Sequence, residues 1–206
     1  MKILCVSDQI DPLVYSNSIE NRFSDVDLVL SAGDLPADYL DFIASGTKKP
    51  LFFVFGNHEG GKEAEKIFQR YGLKHIGSKI MREGGLIVAG LGGSACFQQS
   101  PNRNTEFYMY LKIIKLVPKM LYYRLFHGRF ADILLTHMPP KYIYDKPDTG
   151  SRGVGAFLWF IKTFKPKYLV HGHIHLYDIS AVRRTRRMET EVINAYNHYV
   201  IDTGEY

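Results

Sequence analysis

Five short segments carry residue types suited to metal and phosphate chemistry: Asp8-Gln9-Ile10, Gly33-Asp34, Gly56-Asn57-His58-Glu59, Thr136-His137 and Gly172-His173-Ile174-His175. Carboxylate oxygen, amide oxygen and imidazole nitrogen are the donors that hold divalent Mn, Fe, Zn, Ni or Co. Taken alone, Gly33-Asp34 reads as an ordinary turn. His173 and His175, two apart on extended chain, face one side while Ile174 faces the other. The combination is what carries information, because every segment directly follows an apolar run.

Those runs are the elements that must position the donors. Lys2 to Val6, Val26 to Leu30 and Leu51 to Phe55 read as strands rich in Val, Leu, Ile and Phe, and Glu63 to Tyr71 as a helix. Strand, helix, strand predicts a parallel sheet covered by helices, with ligands at the carboxyl edge. From His75 onward the pattern shortens. Lys79 to Arg82 and Leu86 to Leu91 flank Gly84-Gly85, a hairpin signal. Glu106 to about Arg129 predicts one long helix or two broken near Pro118. Ile133 to Thr136 and Tyr168 to Val170 are further buried-looking strands, with a helix from about Gly153 to Thr163 between them. The tail predicts short antiparallel strands at Asp178 to Val182, Glu191 to Asn194 and Tyr199 to Asp202.

The chain of 206 residues holds 26 Lys plus Arg against 21 Asp plus Glu and is 46% hydrophobic, which excludes a disordered tail or a coiled coil. One domain over 1–206 is the economical reading, with a helical cap excursion at about 105–129. Cys5 and Cys96 form no disulfide framework, so a reducing compartment is expected. The opening apolar stretch is only a strand's length, and no run reaches the roughly 18 residues of a bilayer span, so the expected location is cytoplasmic.

In this order along nearly the whole chain, Asp8, Gly33-Asp34, Gly56-Asn57-His58-Glu59, His137 and Gly172-His173-Ile174-His175 resemble the calcineurin-like metallophosphoesterase family. The resemblance implies an α/β fold, an αββα four-layer sandwich of two mixed sheets, with two divalent metal ions, Mn first among them, at the strand ends. It implies Asp34 bridging both ions, Asn57, His137 and His173 completing one site, and Asp8 and His175 belonging to the other. His58 would hold the phosphate and protonate the leaving oxygen, oriented by Asp34. The implied activity is hydrolysis of a phosphomonoester or phosphodiester by a metal-activated hydroxide. One position departs from the family, which has Asp-x-His where this chain has Asp8-Gln9-Ile10. Isoleucine ligates no metal, so that site fills more weakly through Asp8, Asp34, His175 and extra water, unless Gln9 or Asp11 bends in as a substitute or a single ion is held by Asp34, Asn57, His137 and His173 with activity slow or absent. The alternative is a non-catalytic or weakly active metal- or phosphate-binding module on the same fold.

Substrate signals are sparser. Asn102, Arg103 and Arg152 are candidate contacts to a substrate phosphate, whether of a small molecule or a lipid. The segment 107–129 mixes aromatic and aliphatic residues with Lys112, Lys115, Lys119, Arg124 and Arg129, a composition expected of core and also of a peripheral membrane contact. Arg183-Arg184-Thr185-Arg186-Arg187 reads as a solvated hairpin tip; it lacks the interleaved aromatics of a nucleic-acid platform.

Overall fold

The computed structural model describes residues 1–58, 60–93, 106–144, 152–178 and 180–204. Along the chain these form β1 (Lys2–Ser7), α1 (Ile19–Arg22), β2 (Leu28–Ser31), α2 (Ala37–Thr47), β3 (Leu51–Phe53), α3 (Gly61–Arg70), β4 (Lys74–His75), β5 (Lys79–Glu83), β6 (Leu86–Leu91), α4 (Glu106–His127), β7 (Ile133–Thr136), α5 (Gly155–Phe164), β8 (Tyr168–His171), β9 (Arg184–Arg187), β10 (Thr190–Asn194) and β11 (Asn197–Asp202).

The apolar runs become strands buried on both faces, as parallel strands between layers must be. They form two mixed sheets, one ordered β11-β1-β2-β3-β4 and the other β5-β6-β7-β8-β10-β9. In the first, β1 to β4 are parallel and β11 runs antiparallel to β1, Cys5 facing Tyr199. In the second, β6, β7, β8 and β10 are parallel, and antiparallel β5 and β9 close the edges.

Side chains alternate across each sheet and so sort into three apolar layers. Ile3, Cys5, Leu30 and Phe52 meet Val88, Ile133, Leu135 and Val170 between the sheets. Their neighbours Leu4, Val6, Val29 and Phe53 point outward to Ile19, Leu40, Ile43 and Phe68 of the first helical layer. Ala89, Leu134, Leu169 and Val192 point the other way, to Met109, Ile113, Phe157 and Phe160 of α4 and α5. Each fully buried Phe or Leu contributes about 1.5–3 kcal/mol. The result is the expected αββα sandwich.

Several local expectations hold and two need correction. Gly84 and Gly85 both adopt positive φ, 54° and 87°, the backbone a two-residue hairpin between β5 and β6 demands. The long helical stretch is one continuous helix with Pro118 inside it. The tail, however, does not form a simple antiparallel set: β10 joins the second sheet parallel to β8, whereas β11 crosses to the first. No strand forms at Asp178 to Val182 among the described residues, and the arginine cluster is not a hairpin tip but largely the strand β9. The turn falls instead after it, at Met188, whose φ is 55°. Arg184 pairs with Glu191 on β10, and charged side chains are what a solvent-facing edge strand favours. Among the described residues no helix is long and apolar enough to cross a membrane.

Candidate metal centre

Five strand ends deliver polar groups to one edge. β1 runs into Asp8, β2 into Gly33-Asp34, β3 into Gly56-Asn57-His58, β7 into His137 and β8 into Gly172-His173. Asp8, Asp34 and His173 all adopt left-handed φ, 67°, 57° and 66°. That conformation costs an L-residue about 1–2 kcal/mol, and concentrating it here turns the chain sharply so that side chains return over the strand ends. Two glycines make the close approach possible. A Cβ at Gly56 would overlap the Asp34 carboxylate, and one at Gly172 would overlap Ser7 Oγ and Asp8 Oδ2.

The donor atoms of Asp8, Asp34 and His137 lie within 4.8 Å of one another. His137 Nε2 sits 3.2 Å from Asp34 Oδ2 and 2.7 Å from Asn57 Oδ1. His173 Nδ1 lies 2.9 Å from the same Asn57 oxygen. His175 Nε2 stands 3.7 Å from Asp8 Oδ1. His58 is tied by its backbone N–H to Asp34 Oδ1 at 3.0 Å, and its exposed ring has Nε2 4.0 Å from Asp34 Oδ2. Asp8 is held in turn by Ser7 Oγ at 2.6 Å and the His173 backbone N–H at 2.8 Å. Two adjoining clefts of about 370 and 290 Å³ share Asp8, Asp34, His58 and His175; Pro36 lines the first, and His173, Ile174 and Tyr177 the second.

The charges reinforce one another. Burial disfavours a cationic His137, but the hydrogen bond to Asp34 and the charges of Asp8 and Asp34 outweigh it and raise the imidazole to about 9. Burial would likewise raise both carboxyls. Hydrogen bonds from His175, Ser7 and His173 and the charge of His137 bring Asp8 below its ordinary value, while His137 and His58 do so for Asp34. The Asp8 hydrogen bond also raises His175, against a smaller opposing effect of burial.

This donor set fits a divalent cation. His137 Nδ1 faces the Ala32 carbonyl at 2.7 Å, an oxygen that can only accept, so the Nδ1 proton is fixed and Nε2 is the nitrogen presented to Asp34 and Asn57. The two carboxylates, Asp8 and Asp34, concentrate negative charge at the His137 imidazole, the electrostatic setting that a divalent cation requires. Asp8, Asp34 and His137 make a partial cluster, short of the full donor set that the resemblance implies.

The loop after β1 adds no donor to this cluster. Ile10 is 41% exposed. Neither proposed substitute is at hand: Gln9 Oε1 accepts a hydrogen bond from Tyr196 O–H, and buried Asp11 accepts from His198 Nδ1 at 2.5 Å and from the Leu13 N–H at 2.8 Å. Arg152 is exposed and does not line either cleft. Asn102 and Arg103 lie outside the described residues, as does Glu59. Sequence reasoning passed over Ser7, whose hydroxyl braces Asp8, and the Tyr177 and Tyr196 rings that flank His175 at centroid distances of 5.9 and 5.0 Å. A serine ending an apolar strand gives no signal of its own, and Tyr196 reaches His175 only through the packing of the tail.

Residues 1–177 match the calcineurin-like phosphoesterase family, and the chain belongs to it. No curated protein matches the chain in sequence. Among solved structures, one superposes with a TM-score of 0.70 at 13% identity, over 100% of this chain and 96% of the other. TT1561 of Thermus thermophilus gives 0.65 at 13% identity, over 95% and 89%. GAP50, the anchor in the inner membrane complex of Plasmodium, gives 0.52 at 14% identity, over 94% and 70%. At these identities the likeness is one of fold.

Proposed function

We propose that the protein is a metal-dependent phosphoesterase acting on a phosphomonoester or phosphodiester. The observation that carries the reading is the meeting of His137 Nε2, Asp34 Oδ2 and Asn57 Oδ1 within hydrogen-bond range, with His173 on the same Asn57 oxygen and the His58 ring beside them. Asp34, Asn57, His137 and His173 would hold one divalent ion, Mn first and Fe, Zn, Ni or Co as alternatives. Asp8 and His175, with Asp34, would hold a second more weakly, since Ile10 supplies nothing. Bound there, a divalent ion supplies Lewis-acid charge against a phosphoryl oxygen and water of lowered pKa.

The remaining work belongs to the chain. The His58 ring, exposed at the cleft, would bind a phosphoryl oxygen and donate its N–H proton to the departing ester oxygen. Asp34 orients it through the backbone hydrogen bond and the nearby carboxylate. Asn57, which has no titrating group, keeps its oxygen available to His137 and His173 at any pH. Against the effect of burial, the His175 hydrogen bond, the His137 charge, Ser7 and the His173 N–H together hold the Asp8 carboxyl below its ordinary value, which suits it to act as a ligand and not as a proton source.

The second reading, a module that binds metal or phosphate without turnover, draws on the engagement of Gln9 and Asp11 elsewhere. The two are separated by loading metal-free protein with Mn, Fe, Zn, Ni or Co, counting bound ions, and assaying aryl phosphate and bis-aryl phosphate esters in parallel with His58→Asn. The enzyme reading expects turnover that His58→Asn lowers roughly a hundred- to ten-thousand-fold while bound metal stays unchanged. Metal-replete protein with no hydrolysis of either ester class would give the second reading the lead, whereas turnover indifferent to His58→Asn would keep the enzyme reading and remove His58 from its chemistry.

A further inference from the structure

The helix α4 is apolar nearly all the way round. It buries Met109, Ile113, Leu116 and Met120 against the second sheet and α5. The opposite face of a surface helix ordinarily carries charge. Here it carries Phe107, Ile114, Leu121 and Leu125, one stripe at helical spacing, flanked by Tyr122 and Phe126. Phe107 is 70% exposed, Leu125 78% and Phe126 62%.

The charge of the segment is one-sided. From Phe107 to Ala131 the sequence has no Asp or Glu, while it has Lys112, Lys115, Lys119, Arg124 and Arg129. Lys112 and Lys119 donate to the carbonyls of Gly92 and Ile80 at 3.1 and 2.8 Å, and Lys115 is exposed beside the stripe. Two copies packed through this face would bring Lys115 cations together with no carboxylate of the face to answer them, since Arg129 is paired with its own Asp132 and contributes nothing there. An anionic surface answers them without any change in the protein.

We propose that the outward face of α4 docks the protein on an anionic lipid bilayer, the helix lying in the headgroup plane with Phe107, Ile114, Leu121, Leu125 and Phe126 in the acyl boundary. No helix among the described residues is long and apolar enough to span, so the contact is peripheral. The Tyr122 ring, half apolar and half polar, suits the headgroup level, and Lys115 reaches the lipid phosphates. This docking needs no metal and is independent of the phosphoesterase reading.

The test is co-sedimentation of the full chain with phosphatidylcholine vesicles, with and without phosphatidylserine, alongside sedimentation equilibrium without lipid. Binding should require phosphatidylserine and weaken as salt rises. Lys115→Glu should weaken it by about fivefold or more, and Leu121→Glu with Leu125→Glu by at least about tenfold. Both leucines are exposed, so unchanged far-ultraviolet circular dichroism is expected and confirms that the variants fold. A second variant, Ile114→Glu, guards against a local distortion near either leucine. Absence of binding to either vesicle, or binding that these variants leave unchanged, overturns the proposal. So does a dimer that the leucine variants dissociate, which would assign the face to a second copy.

Discussion

Asp11 Oδ2 accepts a hydrogen bond from His198 Nδ1 at 2.5 Å, joining the loop after β1 to β11 across 187 residues of sequence. The pair is largely buried, and the Asp11 N–H also donates to the Tyr39 hydroxyl at 3.3 Å. The carboxylate beside the missing imidazole is therefore occupied as a structural anchor.

Restoring the imidazole tests how far that anchor matters. Ile10→His should raise the divalent metal retained per chain after gel filtration, measured by atomic emission, above that of the parent protein. An unchanged content would show that the anchored loop, and not the residue type, limits the site. Asp11→Asn should lower stability to urea by about 1–3 kcal/mol, because it weakens a buried charge-assisted hydrogen bond.

Gly172 tests the packing beneath the cluster. An alanine Cβ would occupy the space of Ser7 Oγ and Asp8 Oδ2, so Gly172→Ala must displace the carboxylate or the turn. The expected loss is about 1–3 kcal/mol of stability together with weaker metal binding. Calorimetric metal titration showing parent-like affinity would contradict that role for Asp8.

The metal-free protein should lose stability on both sides of neutrality, for different reasons. Burial pushes His171 down to about 4, so the unfolded chain, with an ordinary imidazole near 6.5, binds a proton first. Stability from this residue is complete above about 6.5 and lost as pH falls toward about 4, a total of about 3 kcal/mol. His137, held at about 9, acts in the opposite sense: its contribution is complete below about 6.5 and lost as pH rises through about 9. Urea midpoints across this range should trace a dome, and metal loading should flatten its alkaline side.

Pro118 sits within a continuous helix and is exposed, so it removes an intrahelical donor without a packing return. Pro118→Ala should raise thermal stability, by up to about 3 kcal/mol. A decrease would indicate that the proline ring itself contributes to how α4 lies on β5 and β6.

Much of this molecule is legible in the chain because the relevant signals are local. Apolar runs such as Leu86–Leu91 and Ile133–Thr136 become strands with those bounds, Gly84-Gly85 can hardly be other than a tight turn, and the polar groups of the cluster come at or shortly after the carboxyl ends of their strands. Ile10 is equally plain from the sequence, since an isoleucine cannot ligate whatever surrounds it. What required the tertiary structure is whatever depends on partners distant in sequence. The run of arginines becomes an edge strand because β10 offers it a neighbour and Glu191 a counter-charge, neither visible in its own composition. β10 and β11 part to different sheets because pairing is decided by the strands they meet, β8 and β1, and not by their own patterns. The nitrogen that His137 presents to Asp34 and Asn57 is selected by the Ala32 carbonyl, 105 residues away, and Asp11 is engaged by His198. Sequence names the groups that can do the chemistry; only folding determines which of their atoms face one another.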